Sequence, residues 1–161
     1  MARPSATKKY HKTTYESINP TRPELSATGK TIVITGGGTG IGTETARCFA
    51  QAGAFRIAII DRRENLLADT KAQIATKFPS SEILAITTDI TNKGDVGAAF
   101  AKLTEADRKI DVLVSNAAVL GPQGLAGTVD TEEFISAVTA NLRSNLNITE
   151  AFLKHASRTP F

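Results

Sequence analysis

The clearest chemistry in this sequence lies in eight residues, Thr35-Gly36-Gly37-Gly38-Thr39-Gly40-Ile41-Gly42. They close an apolar run over 31–36 and open a helical pattern. A glycine turn in that position directs free backbone N–H groups at a pyrophosphate. Each glycine removes a Cβ that would block the turn, the approach of a phosphate or the packing of helix on sheet. A tight turn with no ligand has the same composition, so the motif needs support from elsewhere in the chain. A P-loop does not fit, because Gly37 and Gly42 have its separation but Thr43 follows where lysine is required. A methyltransferase does not fit either, since the strand enters its glycines through Thr35 with no carboxylate. Asp61 ends the next apolar run, 19 residues after Gly42. There a carboxylate accepts both hydrogen bonds of an adenine-ribose diol; its alternative role is to cap a helix starting at 62. Asp61 repels a 2′-phosphate while Arg62 and Arg63 attract one, so the sequence favours NAD and leaves NADP open.

Holding such residues together takes a particular set of elements. Strand-like runs at 31–36, 56–61, 82–89 and 111–117 alternate with helical patterns at 40–52, 62–78 and 92–108, the βαβ arrangement. The runs are nearly continuous in Ile, Val, Ala and Leu, as in parallel strands covered on both faces. Gly53 and Pro79 follow two of the helices as stop signals. The loop 119–127 leads to a last helix that Asp130 caps, with Glu133 three residues on. The expected fold is α/β, a doubly wound parallel sheet. Residues 1–29 read as a basic, flexible arm and 30–161 as the folded part. Residues 1–30 hold six Lys/Arg against two Asp/Glu, 6 − 2 = +4, leaving 13 − 14 = −1 for the remainder. The arm, with Pro4, Pro20 and Pro23, reads as solvated rather than as a nucleic-acid grip. No apolar run approaches the ~18 residues that span a bilayer, and no secretory or transit pattern opens the chain, so a cytoplasmic location is the default. Cys48 reads as a small packed hydrophobe, and His11 and His155 lack metal-ligand spacing, so no metal is expected.

On its own helix, Asn141 falls with Phe134, Val138, Asn145, Ile148 and Phe152 within roughly 40° of one line at 100° per residue. If that face is buried, the amide needs a specific partner, because an unpaired one costs about 1 to 3 kcal/mol.

With these residues assembled, the chain resembles a short-chain dehydrogenase/reductase, whose glycine motif is TGxxxGIG. Asp89-Ile90-Thr91 resembles the family's Asp-Val-Thr, whose aspartate contacts the adenine ring. Ser115-Asn116-Ala117-Ala118 resembles its Asn-Asn-Ala-Gly, with Ser and Ala departing at the two ends. Asn141 matches the helix asparagine that organises a proton-relay water. The resemblance implies a Rossmann-like sheet that holds NAD or NADP. It assigns cofactor contacts to Gly36, Thr39, Gly40, Ile41 and Gly42 of the turn and to Asp61, Arg62, Asp89, Ile90, Asn116 and Ala117. It also implies an oxidoreductase acting on an alcohol or carbonyl of unknown identity; association into a homo-oligomer is left open.

Such chemistry needs a group that moves a proton while nicotinamide moves hydride. In the family this is a tyrosine with a lysine four residues on, helped by an upstream serine. The tyrosines here, Tyr10 and Tyr15, are followed at that spacing by Thr14 and Asn19. The expected fold is accordingly truncated after the helix that follows strand 4. That strand then presents an open apolar edge, and the isolated chain is expected to be marginally stable and inactive. Three readings stay open: an oxidoreductase by descent in shortened form, a non-catalytic NAD(P)-binding module, and an inactive fragment.

Overall fold

The structure, a computed structural model, describes residues 15–125 and 127–157. The arm's first fourteen residues, Tyr10 and His11 among them, lie outside the described residues. Four parallel strands, β1 (Thr31–Thr35), β2 (Arg56–Asp61), β3 (Glu82–Thr87) and β4 (Val112–Val114), stand in the order β3-β2-β1-β4. Helices α1 (Gly40–Gln51), α2 (Glu64–Lys77), α3 (Lys93–Leu103) and α4 (Thr131–His155) alternate with them. This is the expected doubly wound α/β, Rossmann-like sheet.

All five residues of β1 are buried, and successive ones face opposite layers. Ile32 and Ile34 join Ile57, Ile59, Ala46, Ala50, Leu67 and Ile74 on the α1 and α2 side. Val33 joins Ala58, Ile60, Val96, Phe100 and Ile148 on the α3 and α4 side. Two apolar layers thus fix the plane of the sheet, and every strand delivers its C-terminal end to the same rim.

Several boundaries differ from the sequence expectation. Helix α3 stops at Leu103 rather than 108 because its end is satisfied there. The Thr104 hydroxyl donates to Phe100 O at 2.9 Å and the buried Arg56 donates to Leu103 O at 2.8 Å. Arg56 places its charge against the helix C-terminus, where it is favourable, and its Nε lies 3.2 Å from Glu82 Oε2 without making a hydrogen bond. Ala106 and Asp107, at φ 58° and 56°, then turn the chain toward β4. Strands β3 and β4 end early because the residues after Thr87 and Val114 leave the sheet to line a cleft.

Residues 15–29, read as part of the arm, carry two 3₁₀ turns, Glu16–Ile18 and Pro23–Leu25, and a bridge between Thr28 and Ala54. At the other edge Ile110 forms a parallel bridge with Ala156: Ile110 N–H donates to His155 O at 3.2 Å and Ser157 N–H to Ile110 O at 2.9 Å. The outer edge of β4 is therefore covered at its entrance and open over Val112–Val114 among the described residues.

The covered face of helix α4 overlaps the expected stripe at Asn141, Ile148 and Phe152 but is shifted from it. Ser144 and Ile148 are buried, with Asn141, Asn147, Ala151 and His155 partly so, whereas Phe134, Val138 and Asn145 are exposed. The covered line is rotated by roughly 70° from the expected stripe at 100° per residue. The helix has a second apolar row, Ile135, Leu142, Leu146 and Leu153, and all four are exposed. The periodicity averaged the two.

Candidate functional site

Four strand-to-helix loops converge on one cleft of about 550 Å³, within the range of ligand pockets. The glycine turn contributes Gly36, Thr39, Gly40 and Ile41; the β2 end contributes Asp61, Arg62 and Arg63. Asp89 and Ile90 come from the loop after β3, Asn116 and Ala117 from the loop after β4, and Asn141 from α4. Of the residues read from sequence as site residues, Gly42 alone does not line this cleft. It acts beneath it, since a Cβ there would overlap the Gly36 carbonyl oxygen.

The turn is built for close approach. Gly36 has φ 67°, and a Cβ on it would come within 2.9 Å of Asn116 Nδ2. Gly40 has φ 57°, a left-handed conformation that favours glycine, and a Cβ on it would meet no atom within 4 Å. Thr39, the N-cap of α1, is extended and makes no side-chain capping bond. Asn92 and Asp130, by contrast, cap α3 and α4 through their side chains. The start of α1 therefore meets the cleft without a side-chain acceptor, the arrangement that receives an anion.

Asn116 locks the loop after β4 to this turn. Its amide nitrogen donates to Thr35 O at 2.9 Å, and the Asn116 and Ala117 N–H groups both donate to Thr35 Oγ1 at 3.0 Å. Asn141 does the same from α4: its Nδ2 donates to Val119 O and its Oδ1 accepts from Val119 N–H, both at 2.9 Å. The partner that a part-buried amide requires is thus the backbone of the loop.

Asp61 lies under Arg63, whose backbone N–H, Nε and one terminal nitrogen reach its two oxygens at 3.0 to 3.2 Å. Burial opposes ionisation of Asp61, but the Arg63 hydrogen bonds and charge outweigh it and hold the carboxyl below its ordinary range. Helix α2 starts at Glu64 with Arg63 as its N-cap residue, so Asp61 does not occupy that position. The Asp89 carboxylate accepts from Thr91 N–H at 3.0 Å and Thr91 Oγ1 at 2.8 Å. These bonds, and the Arg62 charge beyond them, lower its pKa against a smaller effect of burial.

Sequence reasoning missed Asn147, whose Nδ2 donates to Ile90 O and Thr91 O, each at 3.1 Å. An amide six residues beyond Asn141 was the available signal. It also missed the fold-back of Arg63 and the cleft-lining Thr88, Val119 and Ser144, which no local pattern marks. Among the described residues no group of His, Cys, Asp and Glu could hold a metal ion, and no helix is long and apolar enough to cross a membrane.

The family model described as short chain dehydrogenase matches residues 30–159. The chain belongs to that family, one of oxidoreductases. The short chain dehydrogenase tazN of Aspergillus terreus is 35% identical over 148 residues, covering 91% of this chain and 32% of that protein. Short-chain dehydrogenase reductase 5 of Arabidopsis thaliana is 36% identical, covering 81% of this chain and 47% of its own length. Among solved structures, levodione reductase superposes with a TM-score of 0.74 at 31% identity, over 80% of this chain and 49% of that one. A metagenomic short-chain oxidoreductase in complex with NADP does so at 0.69 and 26%, over 80% and 56%. The chain thus spans about a third to a half of these short-chain dehydrogenases.

Proposed function

We propose that this chain is the cofactor-binding part of an NAD(P)-dependent short-chain dehydrogenase acting on an alcohol or carbonyl. Residues 30–161 are its binding unit and 1–29 an appended basic arm. The observation that carries the reading is the convergence of the glycine turn, Asp61, Asp89, Asn116 and Asn141 on one cleft. The cleft suits a dinucleotide on its own terms. A helix start without a side-chain cap faces it, and the position a Cβ of Gly40 would fill is open space. The nicotinamide of such a cofactor supplies hydride transfer. This chain's residues would do the holding. Gly36, Thr39, Gly40 and Ile41, the turn residues that line the cleft, would present backbone N–H groups to the pyrophosphate, Asp61 with Arg62 would meet the adenosine ribose, and Asp89 and Ile90 would border the adenine. Asn116 and Ala117 support the nicotinamide half. Asn141 fixes the backbone around Val119 and acts as a positioning residue beside the reaction centre. Copies associate through the uncovered row of α4.

Binding and turnover separate cleanly here, because the 161 residues contain no tyrosine with a lysine four residues on. Calorimetric titration of the folded chain with NAD⁺ and NADP⁺ is expected to give micromolar binding, with no steady NADH or NADPH formation when alcohols are added. A folded chain that gives no heat with either nucleotide sinks the binding reading in favour of an inactive fragment. Steady turnover with an alcohol, abolished by Asn141→Ala, sinks the assignment of binding alone.

A further inference from the structure

Arg63 engages the residue on which cofactor preference turns. Asp61 Oδ1 accepts from the Arg63 backbone N–H at 3.1 Å and from its Nε at 3.0 Å, and Oδ2 accepts from a terminal nitrogen at 3.2 Å. That nitrogen also lies 3.4 Å from Thr39 Oγ1, across the mouth of the glycine turn. The Asp61 side chain is 8% exposed and that of Arg63 57%, so the guanidinium is the outer partner.

A carboxylate at the end of this strand selects NAD in two ways. It accepts two hydrogen bonds from the ribose diol, and its charge repels a 2′-phosphate. Each requires something that Arg63 removes. Two donors already fill Oδ1 and a third sits on Oδ2, leaving one acceptor position where the diol needs two. The planar guanidinium, matched to both oxygens, cancels the charge where a 2′-phosphate would meet it. Arg62 adds a second cation at the same rim.

We propose that Arg63 masks Asp61, cancelling the carboxylate's discrimination against a 2′-phosphate, so that the cleft takes NADP at least as well as NAD. This rests on the dinucleotide reading above. It reverses the preference that Asp61 alone dictates, and it makes Arg63 a specificity-determining residue that acts through Asp61.

The test is a double-mutant cycle on the full chain, read as the ratio of the NADP⁺ to the NAD⁺ dissociation constant by calorimetry. The wild-type ratio is expected at or below about one. Arg63→Ala bares the carboxylate and is expected to raise the ratio at least about tenfold, the weight of one charge-assisted hydrogen bond. In an Asp61→Asn background, where no charge remains to be masked, the same substitution is expected to move the ratio by less than about threefold. Arg63→Gln supplies the same readout should Arg63→Ala lose its far-ultraviolet circular dichroism. A wild-type ratio above about three, a rise smaller than about tenfold, or a shift of about threefold or more in the Asp61→Asn background overturns the masking. That last result would mean that Arg63 touches the phosphate directly. Binding with an unchanged ratio leaves the dinucleotide reading standing and removes this proposal; no binding by any of the folded proteins removes both.

Discussion

Gly40 and Gly42 are two residues apart and are required for different reasons, which makes them separable by a single methyl group. At Gly42 a Cβ would run into the Gly36 carbonyl oxygen, a backbone atom that cannot turn aside. Gly42→Ala is expected to lower unfolding free energy by about 3 kcal/mol or more, as overpacking against backbone does. At Gly40 the space is open and the cost is conformational, φ being 57°. Gly40→Ala should therefore lose only about 1 to 2 kcal/mol of stability, while the strain it puts on a turn that lines the cleft should weaken dinucleotide binding. Urea denaturation and titration of the two variants check both statements. Asp61 adds a pH signature. Its folded pKa lies below the ordinary carboxylate value of about 3.9. Its contribution is therefore complete above that value and is lost as pH falls through the lowered one. The melting temperature should be flat from about pH 7 to 5 and fall below about pH 4. Asp61→Asn should flatten part of that fall; an identical slope in wild type and variant would refute the attribution.

At the scale of the element, α4 connects two loops through two amides. Asn141 holds the Val119 backbone by two bonds and Asn147 holds the carbonyls of Ile90 and Thr91. Asn141→Ala should cost about 1 to 3 kcal/mol for two net hydrogen bonds. It should speed hydrogen exchange at Val119 and leave residues 90–91 unchanged, and Asn147→Ala should do the reverse. Accelerated exchange at both loops in either variant would show that they open as one unit. These two residues also mark how far the sequence could be read. Asn141 was legible because an amide in an otherwise apolar stripe demands a partner once buried, yet the identity of that partner was not, since Val119 lies 22 residues away. Asn147 was passed over because Asn145 sat closer to the assumed stripe, and Asn145 proves to be exposed. The strands were legible because continuous Ile, Val and Ala runs have one use in a parallel sheet. Their ends were not, because Asp89 and Asn116 leave the sheet for contacts made with distant segments. The Arg63 fold-back is a rotamer of an exposed side chain, and no spacing in the sequence encodes a rotamer.

At the scale of the molecule, the sheet is well covered and the outer side of α4 is bare among the described residues. Layers on both faces bury β1 and β2 completely apart from Asp61, whereas α4 shows solvent a row of Ile135, Leu142, Leu146 and Leu153 at 51 to 69% exposure. An exposed apolar row of this kind marks a surface expected to favour association. Sedimentation velocity should show mass rising with protein concentration, and Leu142→Glu with Leu146→Glu should hold the chain monomeric; a concentration-independent monomer in the parent protein would exclude it. The bridge between Ile110 and Ala156 has a different consequence. Helix α4 is a rod about 37 Å long at 1.5 Å per residue. Its far end is tied to the chain entering β4, and Asn141 and Asn147, further along it, grip the cleft loops. A rod fixed at one end and loaded further along acts as a lever, and its coupling runs in both directions with equal free energy. A dinucleotide that tightens the cleft loops should therefore slow exchange of the Ser157 amide, and loosening the 110–156 bridge should weaken the dinucleotide by the same factor.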